Sequence, residues 1–233
     1  MNDVNNLRAI RIIASALSGL NIRIAYIGGA TVSLYSNDPD VIELEGSDNE
    51  DIRVEIACLT KLERIRELLN DRGFTESEAN KVACRFHFEG IIVDILSTED
   101  EGWAEGNPWF NKGFVYLEQR RIDEIKLIIP PVAYFLAMKF NSYHERGGKD
   151  PGTSHDFEDI TYVLNNRIKL SDDFRNYPED VQIYLKEEFK SIIKNKILQS
   201  AILGFLPLQL QTKRFKIIMA KLKKVVAGAN YTN

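Results

Sequence analysis

Two aspartates stand where an apolar strand would normally carry a hydrophobic residue. Asp94 lies inside the run IIVDIL, and Asp51 opens the run EDIRVEI. A carboxylate flanked by branched apolar side chains is costly to bury unless it is protonated, paired or bound to a metal. Strand alternation sets Ile92, Asp94 and Leu96 on one face, so Asp94 either replaces a core residue or points into a cleft. If the two strands are neighbours, Asp51 and Asp94 converge. That arrangement suits Mg²⁺ or Mn²⁺, which takes one or two protein carboxylates and completes its shell with water and phosphate oxygens. The alternative is that Asp94 is a sheet-edge residue facing solvent.

Three further groups could take part in the same chemistry. Gly28-Gly29 follows the short apolar run RIAYI and precedes a helical stretch. Such a turn lets backbone approach a phosphate at the helix start, although paired glycines also make ordinary tight turns. On the helix predicted up to Arg146, Lys139, Tyr143 and Arg146 fall at i, i+4 and i+7 and form one polar stripe. In the next helix Asp156 shares a stripe with Ile160 and Val163, whereas Glu158 aligns with Tyr162 and Asn165. Asp156 either satisfies the helix dipole, as the third residue after a Thr153 cap, or faces a ligand. A lysine and an aspartate on adjacent helices would then make a phosphate clamp and a general base. Other chemistries lack their residues. His87, His144 and His155 have no metal-ligand spacing, and the chain has no Cys-x-x-Cys and no Gly-x-Ser-x-Gly elbow.

These residues need elements to hold them. The chain has 233 residues, 44% hydrophobic and 27% charged, enough to bury one large core or two small ones. No run approaches 18 uncharged apolar residues, and the N-terminal MNDVNNLRAI lacks a signal pattern, so a cytoplasmic protein that does not span a membrane is expected. Cys58 and Cys84 read as buried thiols in a reducing compartment. The net charge of -4 argues against a surface coated with phosphate-binding residues. It conceals an acidic run from Asp38 to Asp51 and a basic one from Lys213 to Lys224, both explained most simply as solvated surface.

Hydrophobic periodicity predicts a helix over 6–19, a strand over 23–27 and a helix over 30–35. A strand over 52–57 follows, then a helix over 61–71 capped by Thr60, then a hairpin of 82–88 and 90–96 turning at Glu89-Gly90. Strands are expected at 114–117 and 125–129, and helices at 131–146, 154–166, 178–200 and 212–227. The result is an α+β fold: an α/β domain over 1–129, then a helical region over 130–233 that completes a cleft.

Taken in order, these segments resemble the AbiEii-type nucleotidyltransferases of the DNA polymerase β-like superfamily, many of which are toxins of abortive-infection or toxin–antitoxin systems. The similarity spans nearly the whole chain: IAYIGGATVSLY, EDIRVEI, CRFHFEGIIVDILSTED, PPVAYFLAMKF with RGGKDPGTSHDFEDITYVL, and GFLPLQLQTKRF. The resemblance implies a nucleotidyltransferase-like mixed β-sheet flanked by helices. It also implies that Asp51 and Asp94 bind Mg²⁺ or Mn²⁺. A nucleoside triphosphate would sit at Gly28, Gly29, Thr31, Lys139 and Arg146, and Asp156 and Lys139 would be catalytic. The expected reaction moves NMP from the NTP to an RNA, protein or small-molecule acceptor, and an antitoxin would be a partner.

The chain departs from the family at one point. The strand usually reads Asp-hydrophobic-Asp, and here it reads Asp51-Ile52-Arg53. Residues two apart share a face, so Arg53 stands where the second metal-binding carboxylate is expected. At an effective dielectric of about 20, a unit charge at roughly 4 Å is worth on the order of 4 kcal/mol, and its sign is reversed here. Glu55 shares that face but lies about 13 Å along the strand from Asp51. The second reading is therefore a catalytically degenerate relative that binds a nucleotide or a partner, and a third is a scaffold that only keeps the fold.

Overall fold

The structure, a computed structural model, describes residues 3–38, 41, 52–58, 60–77, 84–97, 107–148 and 150–228. Asp51 and most of the acidic run lie outside the described residues. The chain divides into two compact units. A sheet unit comprises Asn2–Leu34 and Asp48–Pro131, and a helical unit comprises Tyr35–Ser47 and Val132–Asn233.

In the sheet unit, α1 (Asp3–Leu17) buries Ile10, Ile13, Ala14 and Leu17 at helical spacing, with Leu7 half-buried at its start. Strand β1 (Ile24–Ile27) leads through Gly28 into a 3-10 turn, Gly29–Tyr35, instead of an α-helix. Then come β2 (Arg53–Cys58), α2 (Leu62–Asn70), β3 (Thr75–Glu76), β4 (Cys84–Phe88) and β5 (Ile91–Ser97). The sheet order is β1-β2-β5-β4-β3, with β2 and β5 parallel and the other pairs antiparallel. A parallel pair needs a crossover, and here it contains α2 and the β3-β4 strands. Glu89 and Gly90 both have positive φ, 49° and 78°, as a two-residue hairpin turn requires. One sheet face, carrying Val54, Ile56, Phe86, Val93 and Ile95, is fully buried. On the other, Ala25, Ile27, Ala57 and Leu96 pack under Phe114 of α3 (Trp109–Phe114) and Ile128 of the last strand. That last strand, β7 (Ile125–Ile129), pairs with β6 (Glu118–Ile122).

Two local expectations change here. Residues 114–117 are not a strand: Phe114 ends α3, because a helix brings its ring down onto Ala25, Ile27 and Ala57. Thr60 does not cap α2, which starts at Leu62 with Lys61 at the cap position and no side-chain cap.

The helical unit is built around α4 (Val132–Glu145), apolar on nearly every side and buried from Val132 to Met138. It packs on α5 (His155–Asn166) and α7 (Glu179–Lys194), and α9 (Gln211–Ala227) packs on α5, α7 and the short α6 (Leu170–Phe174). The single helix expected over 178–200 is two, α7 and α8 (Lys196–Phe205). Asn195 breaks it, capping α8 by accepting from the Ile197 and Leu198 amides. Gln199 then donates to the Ile192 and Ile193 carbonyls left open at the end of α7. Residues 35–38 join this unit: Tyr35 stacks on Phe135, the Asn37 and Asp38 amides donate to the Asn166 carbonyl, and Arg214 pairs with Asp38. No helix of the described residues is long and apolar enough to cross a membrane.

The end of α5 is held by Lys221, whose Nζ donates to the Leu164 and Asn165 carbonyls, both at 2.9 Å. Burial, assisted by Arg214, pushes the Lys221 ammonium down to about 8. Replacing Lys221 by Met leaves both carbonyls without that donor, a loss of about 1–3 kcal/mol. The melting temperature should fall by about 2–4 °C for each kcal/mol. The folded state holds fewer protons than the unfolded one between about pH 8 and the ordinary lysine value. The stability advantage of the parent over Lys221→Met should therefore widen as pH rises through that window. Thermal melts across the window, for both proteins, check both expectations.

Candidate functional site

The Gly28 turn is built from its own residues. Gly28 has φ +76°, and its carbonyl accepts from the Thr31 amide at 3.2 Å and from the Thr31 hydroxyl at 2.8 Å. Thr31 is fully buried and closes the turn. A Cβ on Gly28 would lie 2.2 Å from a carboxylate oxygen of Glu55, so glycine is required by backbone angle and by space together. Strand register explains the closeness: Ile27 pairs with Glu55, and Glu55 pairs with Asp94. The β2 residue beside Asp94 is thus Glu55.

Asp94 is only 8% exposed and is neutralised by arginine. Arg85, directly opposite on β4, donates from Nε to one oxygen at 2.7 Å and from its terminal nitrogen to the other at 2.9 Å. Arg53 adds its Nε at 3.5 Å from the second oxygen. The pair is the planar two-bond fork that guanidinium and carboxylate form best. Of the alternatives open at the sequence level, Asp94 is neither a solvent-facing edge residue nor a bare carboxylate.

This bears on the divalent cation. Both oxygens of Asp94 are engaged, and an ion placed there would meet two guanidinium groups. Among the described residues no group of three His, Cys, Asp or Glu side chains is placed to hold a metal. Asp51, the other expected ligand, lies outside the described residues. The described residues do not fit a metal centre in this arrangement.

The second cluster lies within the helical unit. Lys139 on α4 reaches Asp159 at 2.7 Å and Asp156 at 3.1 Å, and Arg146 holds the other Asp156 oxygen at 2.8 Å. Asp156 and Asp159 are buried, and Lys139 nearly so. Burial pushes the Asp159 carboxyl up against the opposing pull of Lys139. Ser154, not Thr153, caps α5, accepting from the Phe157 amide, so Asp156 is the second residue of the helix. The sequence sets Lys139 and Arg146 on one polar stripe and Asp156 at the head of an apolar stripe with Ile160 and Val163, and the three side chains meet. Asp159 was missed, although its i+3 spacing from Asp156 puts it on the same face. The network balances two cations against two carboxylates.

The expected site residues thus fall into two sets: Gly28, Gly29, Thr31 and Asp94 in the sheet unit, and Lys139, Arg146 and Asp156 in the helical unit. No family model matches the chain, and no curated protein matches it in sequence. Solved structures do match. An antigenic nucleotidyltransferase-like protein from Paracoccidioides brasiliensis superimposes with TM-score 0.50 at 18% identity, over 89% of this chain and 96% of that one. The antibiotic-resistance factor ANT(2'')-Ia gives TM-score 0.49 at 13% identity, over 82% and 96%. JHP933 from Helicobacter pylori gives 0.47 at 11%, over 99% and 97%. The first of these likenesses shows the architecture, an α+β chain with the nucleotidyltransferase-like mixed sheet.

Proposed function

We propose that this chain is a nucleotidyltransferase of the AbiEii type, moving NMP from an NTP to an RNA, protein or small-molecule acceptor. The observation that carries the reading is the strand-Gly28-Gly29-Thr31 turn packed on Glu55, the register neighbour of Asp94, in a chain with the architecture of a nucleotidyltransferase-like protein. The resemblance assigns the triphosphate to Gly28-Gly29, whose backbone can approach phosphate, and it assigns Lys139 and Arg146 to phosphate oxygens. An acceptor hydroxyl would attack the α-phosphorus, its proton passing to Asp156 as the P–O bond to pyrophosphate breaks. Dependence on Mg²⁺ or Mn²⁺, with Asp51 and Asp94 as ligands, belongs to this reading and demands that Arg85 release Asp94. A cytoplasmic toxin countered by an antitoxin is the biological setting the resemblance implies.

The hold of Arg85 and Arg53 on Asp94 favours a second reading, in which the chain binds a nucleotide without transferring it. Incubating the protein with α-labelled NTPs, total RNA and lysate, with Mg²⁺ or with chelator, separates the two. Transferase activity should label an acceptor only with metal and fall by about 10²–10³-fold or more in Asp94→Asn and Asp156→Asn. Nucleotide binding with no label transferred supports the second reading, and absence of both binding and transfer ends both.

The Arg53 position gives an independent check. Arg53→Asp removes a cation and supplies a carboxylate on the face of Asp94. Under the second reading, calorimetry should show Mg²⁺-dependent nucleotide binding strengthened in this variant. Weakened binding would count against that reading.

A further inference from the structure

At one end of the sheet the residues present supply the opposite charge from a metal ligand. Strands β2, β5 and β4 run side by side, and their register places Arg53, Ile92 and His87 in one row across them. Paired residues project to the same face, and it is the face on which Arg85 grips Asp94. The row holds no acid. Glu55 and Asp94 sit one row further in, about 7 Å along the strands. There Arg85 already occupies both Asp94 oxygens, and Glu55 leans over Gly28.

Arg53 and His87 are the two groups of this row that can meet a ligand. The Arg53 side chain is 44% exposed, and its one ion pair is the 3.5 Å approach of Nε to Asp94. Among the described residues it makes no side-chain hydrogen bond, so its terminal nitrogens keep their donors. His87 is exposed and, among the described residues, has no side-chain partner. The Cα atoms of the two lie about 10 Å apart, two strand spacings, with half-buried Ile92 between them. Because Arg85 cancels Asp94, the charge of Arg53 is left over. A divalent cation at this row is repelled by it, whereas an oxyanion gains a planar donor fork. Two donors so far apart suit a chain of phosphates better than one small anion.

We propose that this row binds a polyphosphate chain without a divalent cation, with Arg53 supplying the positive charge that a metal ion would otherwise bring. The fork of Arg53 takes one phosphate group, and His87 donates to another along the chain. The site lies wholly within the sheet unit. Where the chain is that of an NTP, the proposal rests on the second reading above, nucleotide binding without transfer; an inorganic polyphosphate is the other source of the same chemistry.

The test is calorimetry on the full chain with ATP and with inorganic tripolyphosphate, each in chelator and in excess Mg²⁺. At least one of the two should bind saturably in chelator, and no more tightly with Mg²⁺. Binding of ATP alone identifies a nucleotide as the source, and binding of both alike an inorganic chain. Arg53→Gln removes the charge and should weaken metal-free binding by about tenfold or more, as loss of a charge-assisted hydrogen bond does. Arg53→Lys restores the charge without the fork and should recover only part of it. His87→Ala should weaken binding by a smaller factor, and Lys213→Gln, at an exposed cation of α9, should change nothing. Arg53 and His87 are both open to solvent, so these variants fold. Binding that requires Mg²⁺, parent-like binding in Arg53→Gln or His87→Ala, an equal loss in Lys213→Gln, or no binding of either probe would overturn the proposal. ATP bound only with Mg²⁺ ends the proposal and leaves the second reading standing, whereas tripolyphosphate bound in chelator with no ATP binding does the reverse.

Discussion

A carboxylate in the middle of an apolar strand has to be neutralised, and here the neutralising charge comes from the next strand. Asp94 and Arg85 are directly paired across β5 and β4, and both carboxylate oxygens accept from one guanidinium group. Removing one partner of such a buried pair typically costs about 3–5 kcal/mol, because the remaining charge is left without water or counter-ion. The polar end of this sheet face rests on that pairing. Arg53 approaches the same carboxylate, and Glu55, beside it in register, leans across Gly28. An anionic ligand and a divalent cation would therefore meet different surfaces: the first two guanidinium groups, the second a carboxylate already satisfied.

The same rule orders the helical unit. Lys139 and Arg146 hold Asp156 and Asp159 at the α4–α5 contact, and Asn195, Gln199 and Lys221 satisfy carbonyls or amides that helix ends leave open. Among the described residues, the buried side-chain oxygens of Ser33, Glu158 and Asn165 are the exceptions without a hydrogen-bond partner.

Much of this could be read along the chain. The amphipathic stripe of α1, the Gly28-Gly29 turn and the Glu89-Gly90 hairpin are local patterns whose physics is local. Counting back from that two-residue turn pairs Arg85 with Asp94, so even this ion pair is encoded locally. The convergence of Lys139 with Asp156 followed from helical periodicity, and Asp159 was legible by the same count. Phe114 was not: its apolar neighbours suit a strand, and only the Ala25–Ile27–Ala57 surface beneath it selects a helix. The break at Asn195 was masked by a periodicity that continues across it.

Periodicity, glycine placement and turn chemistry act within a few residues, so apart from α3 and the α7–α8 break the elements and the faces they bury were determined by the sequence alone. Which strand lies beside which was not, because the parallel pairing of β2 with β5 joins residues about forty positions apart through a crossover whose path no local pattern specifies. That pairing sets Glu55 beside Asp94 and brings Arg53 to its second oxygen, replacing an expected metal ligand by a counter-charge. The partner of a buried charge depends on register and distance, and only the tertiary structure supplies both.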